Sequence, residues 1–215
     1  MLNLPFHVMA KPGGPMCNLA CRCCYYLVKE RLYPGADFRM SEEVLEEYTR
    51  QYLAAHPGGE ITFTWQGGEP TLMGLDFYRR AVELQQKYVR PGVRVTNTLQ
   101  TNGVTLDDEW CELFREHDFL IGISVDGPDD CHDAVRVTRD GRPTLRRVVR
   151  GVRCLRDHGV RFNVLACVHQ ANQHRPLDVY RFVRDEVGTQ FVQFIPIVER
   201  DNDTGYQQGD SLPSR

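Results

Sequence analysis

Residues 61–70 read Ile-Thr-Phe-Thr-Trp-Gln-Gly-Gly-Glu-Pro, an apolar run that ends in a glycine-rich turn. The run 61–65 is typical of a β-strand, because β-branched and aromatic residues dominate it and turn residues follow it. The same order, an apolar run and then a polar or glycine-rich cluster, occurs three more times along the chain. The four clusters occupy residues 17–24, 67–70, 100–103 and 124–127.

Six runs of strand character alternate with helical patterns through most of the chain. The predicted strands cover residues 4–10, 61–65, 93–100, 119–125, 161–168 and 191–197. Strands separated by helices form βαβ units in a parallel sheet, and both an open doubly wound sheet and a partial barrel fit this alternation. All four clusters follow the carboxyl ends of strands, where barrel folds build their sites. We therefore predict an α/β fold, a partial (β/α)6 TIM-type barrel.

Five helices are predicted between the strands. Ser41 is the N-cap of the first, and Thr105 with Asp108 forms a capping box for the third. The fifth begins at Pro176, a residue that suits the first helical turn. We expect this helix to bury four side chains, Leu177, Tyr180, Val183 and Val187.

The fourth predicted helix is rich in arginine. We interpret this arginine face as the solvated side of an amphipathic helix rather than a nucleic-acid site. The five residues are Arg146, Arg147, Arg150, Arg153 and Arg156.

Length and charge limit the classes of protein that fit. The chain has 215 residues and a net charge of −3, so neither nucleic acid nor an anionic membrane is an expected partner. The longest strongly apolar stretch, residues 119–125, is too short to span a bilayer, and residues 1–7 lack the basic region and long apolar segment expected of a signal peptide. We expect a cytoplasmic protein with one core over residues 1–199 and a polar, disordered tail over 200–215.

The cysteines are unevenly distributed. Four of the eight fall within residues 17–24, and the others stand singly. A chain of this size without a secretion signal does not need a disulfide framework, so the grouped cysteines indicate metal or cluster ligation. Three of them have the spacing C-x3-C-x2-C, which suits an iron–sulfur cluster. A zinc site remains an alternative, although it requires a fourth ligand and no second cysteine pair is evident.

Five motifs together resemble one protein family. They are Cys-Asn-Leu-x-Cys-x-x-Cys-Tyr-Tyr, Thr-Trp-Gln-Gly-Gly-Glu-Pro-Thr, Leu-Gln-Thr-Asn-Gly, Ser-Val-Asp-Gly-Pro and His-Asp-x-x-Arg. The chain is similar over residues 4–200 to the radical S-adenosylmethionine (SAM) superfamily, and within it to the anaerobic sulfatase-maturating enzymes. The resemblance implies an oxidoreductase that converts a cysteine or serine of a sulfatase polypeptide to Cα-formylglycine. It also implies a reductant such as flavodoxin or ferredoxin.

The resemblance implies two cofactors and a role for each matching residue. Cys17, Cys21 and Cys24 would hold a 4Fe–4S cluster and leave one iron free to bind SAM. The residues expected to contact SAM are Gly67, Gly68, Glu69, Ser124, Asp126, Arg136 and, beside the adenine, Ile197. Gln100 and Asn102 are expected to face the substrate peptide. We interpret His132 and His169 as structural or exposed residues and not as ligands.

Two departures from the family pattern affect these expectations. Cys23 stands where the family has an aromatic residue that packs beside adenine, so Cys23 is expected to contact the cofactor through its backbone. No cysteine follows Cys167, whereas the family carries two further 4Fe–4S clusters and its proposed catalytic base in a C-terminal region. We therefore identify no catalytic base, and we expect the 215-residue chain to convert a sulfatase peptide poorly. Another peptide-modifying radical SAM enzyme and a catalytically silent cluster- or metal-binding module remain alternatives.

Overall fold

One parallel sheet organises the fold. The computed structural model describes residues 4–189 and 191–197. Its strands are β1 (Met9–Ala10), β2 (Glu60–Trp65), β3 (Arg94–Thr101), β4 (Phe119–Ser124), β5 (Phe162–Val168) and β6 (Val192–Pro196). The strands pair in the order β1-β2-β3-β4-β5-β6, and every pair is parallel. A doubly wound sheet would reverse direction at a switch point, so this sequential order confirms the partial-barrel prediction.

Helices cover the outer face of the sheet. They are α1 (Glu42–Ala55), α2 (Leu75–Tyr88), α3 (Asp108–Glu116), α4 (Asp129–His132), α5 (Leu145–Asp157) and α6 (Pro176–Phe182). Two short 3-10 helices span Leu27–Leu32 and Pro70–Met73, and a π-helical turn at Val183–Val187 extends α6. In the part of the chain that the structure describes, no helix is long and apolar enough to cross a membrane.

The two faces of the sheet differ in chemistry. Residues that point outward, such as Phe63, Trp65 and Ile121, are fully buried against the helices. The inner, concave face is polar, with the hydroxyl of Thr62 2.9 Å from that of Thr96 and the hydroxyl of Thr98 donating to that of Thr64. The core therefore lies between sheet and helices, and the concave face is left for a ligand.

The arginine-rich face of α5 is exposed, as predicted for Arg146, Arg147, Arg150, Arg153 and Arg156. The apolar side of α5 packs inward through Val148, Val152 and Leu155. Gly159 follows the helix at φ +66°, a left-handed conformation that ends it where predicted.

Two predicted boundaries are wrong. Strand β1 was predicted over residues 4–10, but only Met9 and Ala10 pair with β2, because β1 is an edge strand that meets β2 at its last residues. The third helix begins after Asp107, whose carboxylate accepts from the Trp110 amide, and not at a Thr105 capping box. The Thr105 hydroxyl instead lies 2.6 Å from that of Thr71.

The last helix is rotated relative to the prediction. It begins at Pro176 as expected, and it buries Val183 and Val187 together with Val179. Leu177 and Tyr180 are exposed, at 63% and 42%, because the buried residues follow a spacing of four that starts at Val179. The predicted tail, residues 200–215, lies outside the described residues.

Candidate functional site

The three predicted cluster ligands lie in the loop between β1 and the first 3-10 helix. Cys17, Cys21 and Cys24 are all partly buried, and their thiols are close enough to influence one another electrostatically. The Leu19 amide donates to Cys17 Sγ over 3.4 Å. Burial, with Glu69 and the neighbouring thiols, raises the pKa of Cys17 to about 12. The loop thus gathers three thiols, and one of their sulfurs already accepts a backbone hydrogen bond.

Backbone pairing with a distant segment fixes this loop. The amide of Ala20 donates to the carbonyl of Val137, and the amide of Arg22 donates to that of Val135. The guanidinium of Arg139 donates to the Cys17 carbonyl over 3.0 Å. The segment after β4 therefore helps to place the cysteines.

The turn after β2 is hydrogen-bonded to the residues that immediately precede the cysteine loop. The amide of Gly68 donates to the Gly14 carbonyl over 2.8 Å, and the amide of Glu69 donates to the Met16 carbonyl over 2.7 Å. A Cβ on Gly68 would lie 2.1 Å from the Met16 carbonyl oxygen, so only glycine permits this approach. Gly67 has φ +131°, where a side chain would be strained.

The carboxylate of Glu69 is fully engaged within the protein. It accepts from the amide and hydroxyl of Thr71, from the hydroxyl of Thr101 and from the amide of Asn102, and Glu69 is only 1% exposed. Burial raises the pKa of Glu69 despite these hydrogen bonds. The carboxylate therefore ties the turn after β2 to the end of β3.

Asp126 and Arg136 form a buried ion pair at the end of β4. The Arg136 guanidinium donates to both carboxylate oxygens, over 2.6 and 3.0 Å, and the Cys167 amide donates to one of them. Burial alone would raise the pKa of Asp126, but the charge and the hydrogen bonds of Arg136 hold it well below its usual range. Both residues were predicted to contact SAM, and the structure brings them together in direct contact.

His132 is buried and structural, as predicted. Its Nδ1 accepts from the Asp126 amide over 3.3 Å, and its Nε2 lies 3.2 Å from the Thr144 hydroxyl. That hydroxyl donates to the Arg136 carbonyl, so His132 Nε2 carries the proton and donates to Thr144. His169 is also buried, and its Nε2 lies 3.6 Å from Asp126.

Cys23 has a partner that the sequence did not reveal. The neighbouring thiol of Cys167, together with burial, raises the pKa of Cys23. Arg136 donates to Cys167 Sγ over 3.4 Å, and the pKa of Cys167 is lowered by the neighbouring Cys23 thiol and by Arg136. Cys167 lies near the carboxyl end of β5, so the strand-end argument used for the other strands could have identified it.

The predicted substrate residues occupy different environments. Gln100 projects from β3 onto the concave face, where its amide donates to the Ser124 hydroxyl over 3.2 Å. It lines a cavity of about 160 Å³ together with Thr98 and Gly122. The side chain of Asn102 is instead buried against the cysteine loop, where it donates to Asn18 over 2.8 Å.

Ile197, predicted to lie beside the adenine, is half-buried just past β6. Its amide donates to the carbonyl of Val168 at the end of β5. It therefore shares the carboxyl edge of the sheet with Ser124 and Asp126.

The donor set fits a 4Fe–4S cluster better than one zinc ion. Three thiols are offered, and the Cys17 sulfur accepts an amide hydrogen bond of the kind that tunes such clusters. Among the described residues, the three cysteines are not a trio whose ligand atoms converge within 4.8 Å, as ligands of a single ion would. The glycine turn, Ser124 and the Asp126–Arg136 pair surround the loop with polar groups suited to a charged ligand such as SAM.

Comparison with known families agrees with this geometry. The model of the Radical SAM superfamily matches residues 12–183, well over half of the chain. The serine-type anaerobic sulfatase-maturating enzyme of Bacteroides thetaiotaomicron is 45% identical over 197 residues, which cover 91% of this chain and 47% of that protein. The cysteine-type enzyme of Clostridium perfringens is 36% identical over 194 residues, covering 89% and 51%. The chain therefore spans about half the length of these curated relatives.

Solved structures agree as well. Native anSMEcpe with bound AdoMet and a bound peptide superposes with a TM-score of 0.83 at 32% identity, over 95% of this chain and 55% of that one. SuiB of Streptococcus suis bound to S-adenosylmethionine matches with a TM-score of 0.64 over 96% of this chain and 44% of that one. At 17% identity, the SuiB match shows a shared fold alone.

Proposed function

The chain belongs to the radical SAM superfamily, and from that premise we propose that it carries the SAM-cleaving part of an anaerobic sulfatase-maturating enzyme. Members of this superfamily use a 4Fe–4S cluster and SAM. The proposed reaction oxidises a serine or cysteine side chain of a sulfatase polypeptide to Cα-formylglycine.

One observation carries the proposal. The cysteine loop lies at the carboxyl edge of a sequentially ordered parallel sheet, held by the Gly67–Gly68 turn, and it opens toward a polar concave face. In barrel folds this edge is where cofactor and substrate meet.

The residues of this chain would hold the cofactors and orient them. Cys17, Cys21 and Cys24 would bind the cluster, which when bound supplies the electron for reductive cleavage of SAM. The backbone carbonyls of Gly67, Gly68 and Glu69 would accept hydrogen bonds from the SAM amino group. The two glycines have no side chain that would block this close approach.

The remaining SAM contacts would come from the ends of β4 and β6, from the segment after α4 and from the cysteine loop. The Ser124 hydroxyl would bind the ribose, and Arg136, held by Asp126, would face the SAM carboxylate. Ile197 would pack beside the adenine, while the backbone of Cys23 would contact the cofactor.

The peptide substrate would enter from the concave face. Gln100 already projects there, and Asn102 would act by holding the cysteine loop through Asn18. The relatives named as serine-type are more similar than those named as cysteine-type, at 45% against 36% identity, which supports serine as the target.

The reductant is proposed to be a flavodoxin or ferredoxin, because cluster reduction needs a low-potential electron donor. A cytoplasmic location is proposed because all eight cysteines are free, as they would be in a reducing compartment.

Anaerobic reconstitution tests the function. The chain is loaded with iron and sulfide, reduced and incubated with SAM, and 5′-deoxyadenosine is measured by mass spectrometry. We expect formation of 5′-deoxyadenosine by the wild type, its loss in Cys21→Ala and its retention in Cys131→Ala, which removes a buried thiol outside the loop. Absence of SAM cleavage by a protein that holds a four-iron cluster would refute the proposal in favour of a silent cluster-binding module.

Adding peptides to the same reaction tests which substrate is modified. Sulfatase peptides with serine or cysteine at the target position are added, and the aldehyde product is identified by its mass and by hydrazide labelling. We expect slow conversion by the 215-residue chain, with serine preferred. The same assay is repeated with the C-terminal half of a relative fused to the chain. If both proteins cleave SAM but neither forms the aldehyde, the peptide substrate is a different one.

A further inference from the structure

Helices α3 and α5 bring together a second group of metal-ligating side chains. Cys111 lies on α3, while Cys154 and His158 lie on the last turn of α5 and at its C-cap. One ligand atom from each residue lies within 4.8 Å of the other two. This is the single such trio in the described ranges 4–189 and 191–197, and none of its members belongs to the candidate SAM site.

A fourth ligand stands at the same place. Asp108, the first residue of α3, has its Oδ1 3.4 Å from Cys154 Sγ and 3.7 Å from His158 Nε2. Each helix therefore offers a pair, Asp108 with Cys111 and Cys154 with His158. Each pair has two or three residues between its members, and the two pairs are distant from each other in sequence, as in structural zinc sites.

We propose that Asp108, Cys111, Cys154 and His158 form a tetrahedral Zn²⁺ site that joins α3 to α5. With Zn–S bonds of ~2.3 Å and Zn–N or Zn–O bonds of ~2.0 Å, tetrahedral ligand atoms are separated by about 3.3–3.8 Å. The Asp108 distances already fall in this range, and the trio, whose ligand atoms lie within 4.8 Å of one another, has to contract to reach it. Side-chain rotations at Asp108, which is 83% exposed, and at Cys154 can supply that change.

The imidazole of His158 is oriented for ligation. Its Nδ1 lies 3.0 Å from the Cys154 backbone carbonyl, so the Nδ1 proton is donated there. The lone pair of Nε2 is then available to a metal ion, with Nε2 3.7 Å from Asp108 Oδ1, and Cys154 Sγ lies 3.8 Å from Nδ1. A histidine ligand held through its other nitrogen by a carbonyl is the usual arrangement in zinc proteins.

The thiols are protonated when no ion is bound. Burial raises the pKa of Cys111, and a hydrogen bond with Cys154 adds to this effect. Burial and Asp108 likewise raise the pKa of Cys154. Zinc must displace these protons, so its affinity should rise with pH. Two thiolates and one carboxylate give the site a charge of −3 toward a divalent cation, which favours Zn²⁺ over harder ions that prefer oxygen ligands.

Zinc binding can be measured separately from cluster assembly. The Cys17→Ala/Cys21→Ala/Cys24→Ala variant removes the three predicted cluster ligands and leaves α3 and α5 unchanged. After anaerobic incubation with Zn²⁺ and desalting, we expect about one zinc ion per chain by elemental analysis. X-ray absorption should give two Zn–S distances of ~2.3 Å and two Zn–N or Zn–O distances of ~2.0–2.2 Å.

Variants of the four ligands then test the assignment. Adding Cys154→Ala should abolish zinc retention, and adding Asp108→Asn, an exposed change that the fold tolerates, should weaken it at least tenfold. Adding Cys131→Ala, the matched control, should retain the metal. Zinc should also raise the melting temperature of the parent but not of the Cys154→Ala variant.

Three results would overturn the proposal. They are zinc retention unchanged by Cys154→Ala, no retention by a parent variant that is folded by circular dichroism, and a Cys111–Cys154 disulfide in anaerobically prepared protein. In the last case the two thiols would be a redox pair and not metal ligands.

Discussion

We expect His132 to make the folded chain less stable as the pH falls into the mildly acidic range. Burial lowers its pKa from 6.5 to about 4, and its Nδ1 already accepts the Asp126 amide, so the folded state resists protonation. Between pH 6.5 and 4 the unfolded chain therefore binds a proton that the folded chain does not, and the free energy of unfolding falls as pH falls. We expect His132 to contribute a loss of about 3 kcal/mol across this window.

Urea unfolding at several pH values measures this effect. His132→Asn keeps an acceptor near the Asp126 amide but cannot titrate, so the difference in unfolding free energy between wild type and variant should shrink as pH falls. A constant difference between pH 6.5 and 4 would contradict the assignment of a neutral, buried His132.

We expect the side chain of Glu69 to stabilise the fold, in addition to the proposed contact of its backbone with SAM. In Glu69→Gln the new amide nitrogen faces the Asn102 amide, which loses its acceptor, so two donors oppose each other in a buried site. An unsatisfied buried donor costs ~1–3 kcal/mol of unfolding free energy. Urea denaturation at neutral pH measures it.

Glu112→Gln is the matched control, because Glu112 is exposed on α3. It should change the unfolding free energy by less than about 0.5 kcal/mol. Equal effects of the two substitutions would show that the hydrogen bonds to Glu69 are not important for stability.

At the scale of elements, the close contact between the β2 turn and the cysteine loop should decide cluster occupancy. In Gly68→Ala the new methyl group would lie 2.1 Å from the Met16 carbonyl oxygen and 2.6 Å from that of Pro15, and backbone atoms cannot yield as side-chain ends do. We expect the loop to move, with a loss of ~1–3 kcal/mol in stability. Iron content after reconstitution should fall to a small fraction of the wild-type value.

Gly13→Ala provides the comparison within the same loop. Its methyl group would meet only the flexible ends of Met16 and Met73, at 3.4 and 3.7 Å. It should retain wild-type iron content, and equal iron loss in both variants would show that general loop strain, and not the β2 contact, is responsible.

For the whole molecule, we expect the position of each strand in the sheet to determine how strongly its backbone amides are protected from hydrogen exchange. Strands β3 and β4 have a neighbour on both sides, whereas β1 and β6 form the edges of the described sheet. Edge strands leave amides without a partner strand, so hydrogen exchange should be slowest in β3 and β4 and fastest in β1 and β6. Mass spectrometry of peptic fragments measures this, and protection of β6 equal to that of β4 would indicate that another element covers its edge.

The sequence alone determined the order of elements and the position of the cysteine loop. Both depend on local information, since apolar periodicity identifies strands and helices and the C-x3-C-x2-C spacing identifies a cluster loop. The carboxyl-edge clusters then predicted the barrel. Local patterns were less informative at β1 and on α6, because the faces they bury depend on which neighbours cover them.

Only the tertiary structure decided which side chains meet. The predicted SAM residues Asp126 and Arg136 form an ion pair, and Cys23 lies beside the thiol of Cys167, a residue that the sequence left as a solitary cysteine. Cys111 and Cys154 also stood singly in the sequence, yet the crossing of α3 and α5 brings them together with His158. These pairings join residues far apart in the chain, and they depend on helix rotation and on competition for buried hydrogen bonds, which no local pattern records.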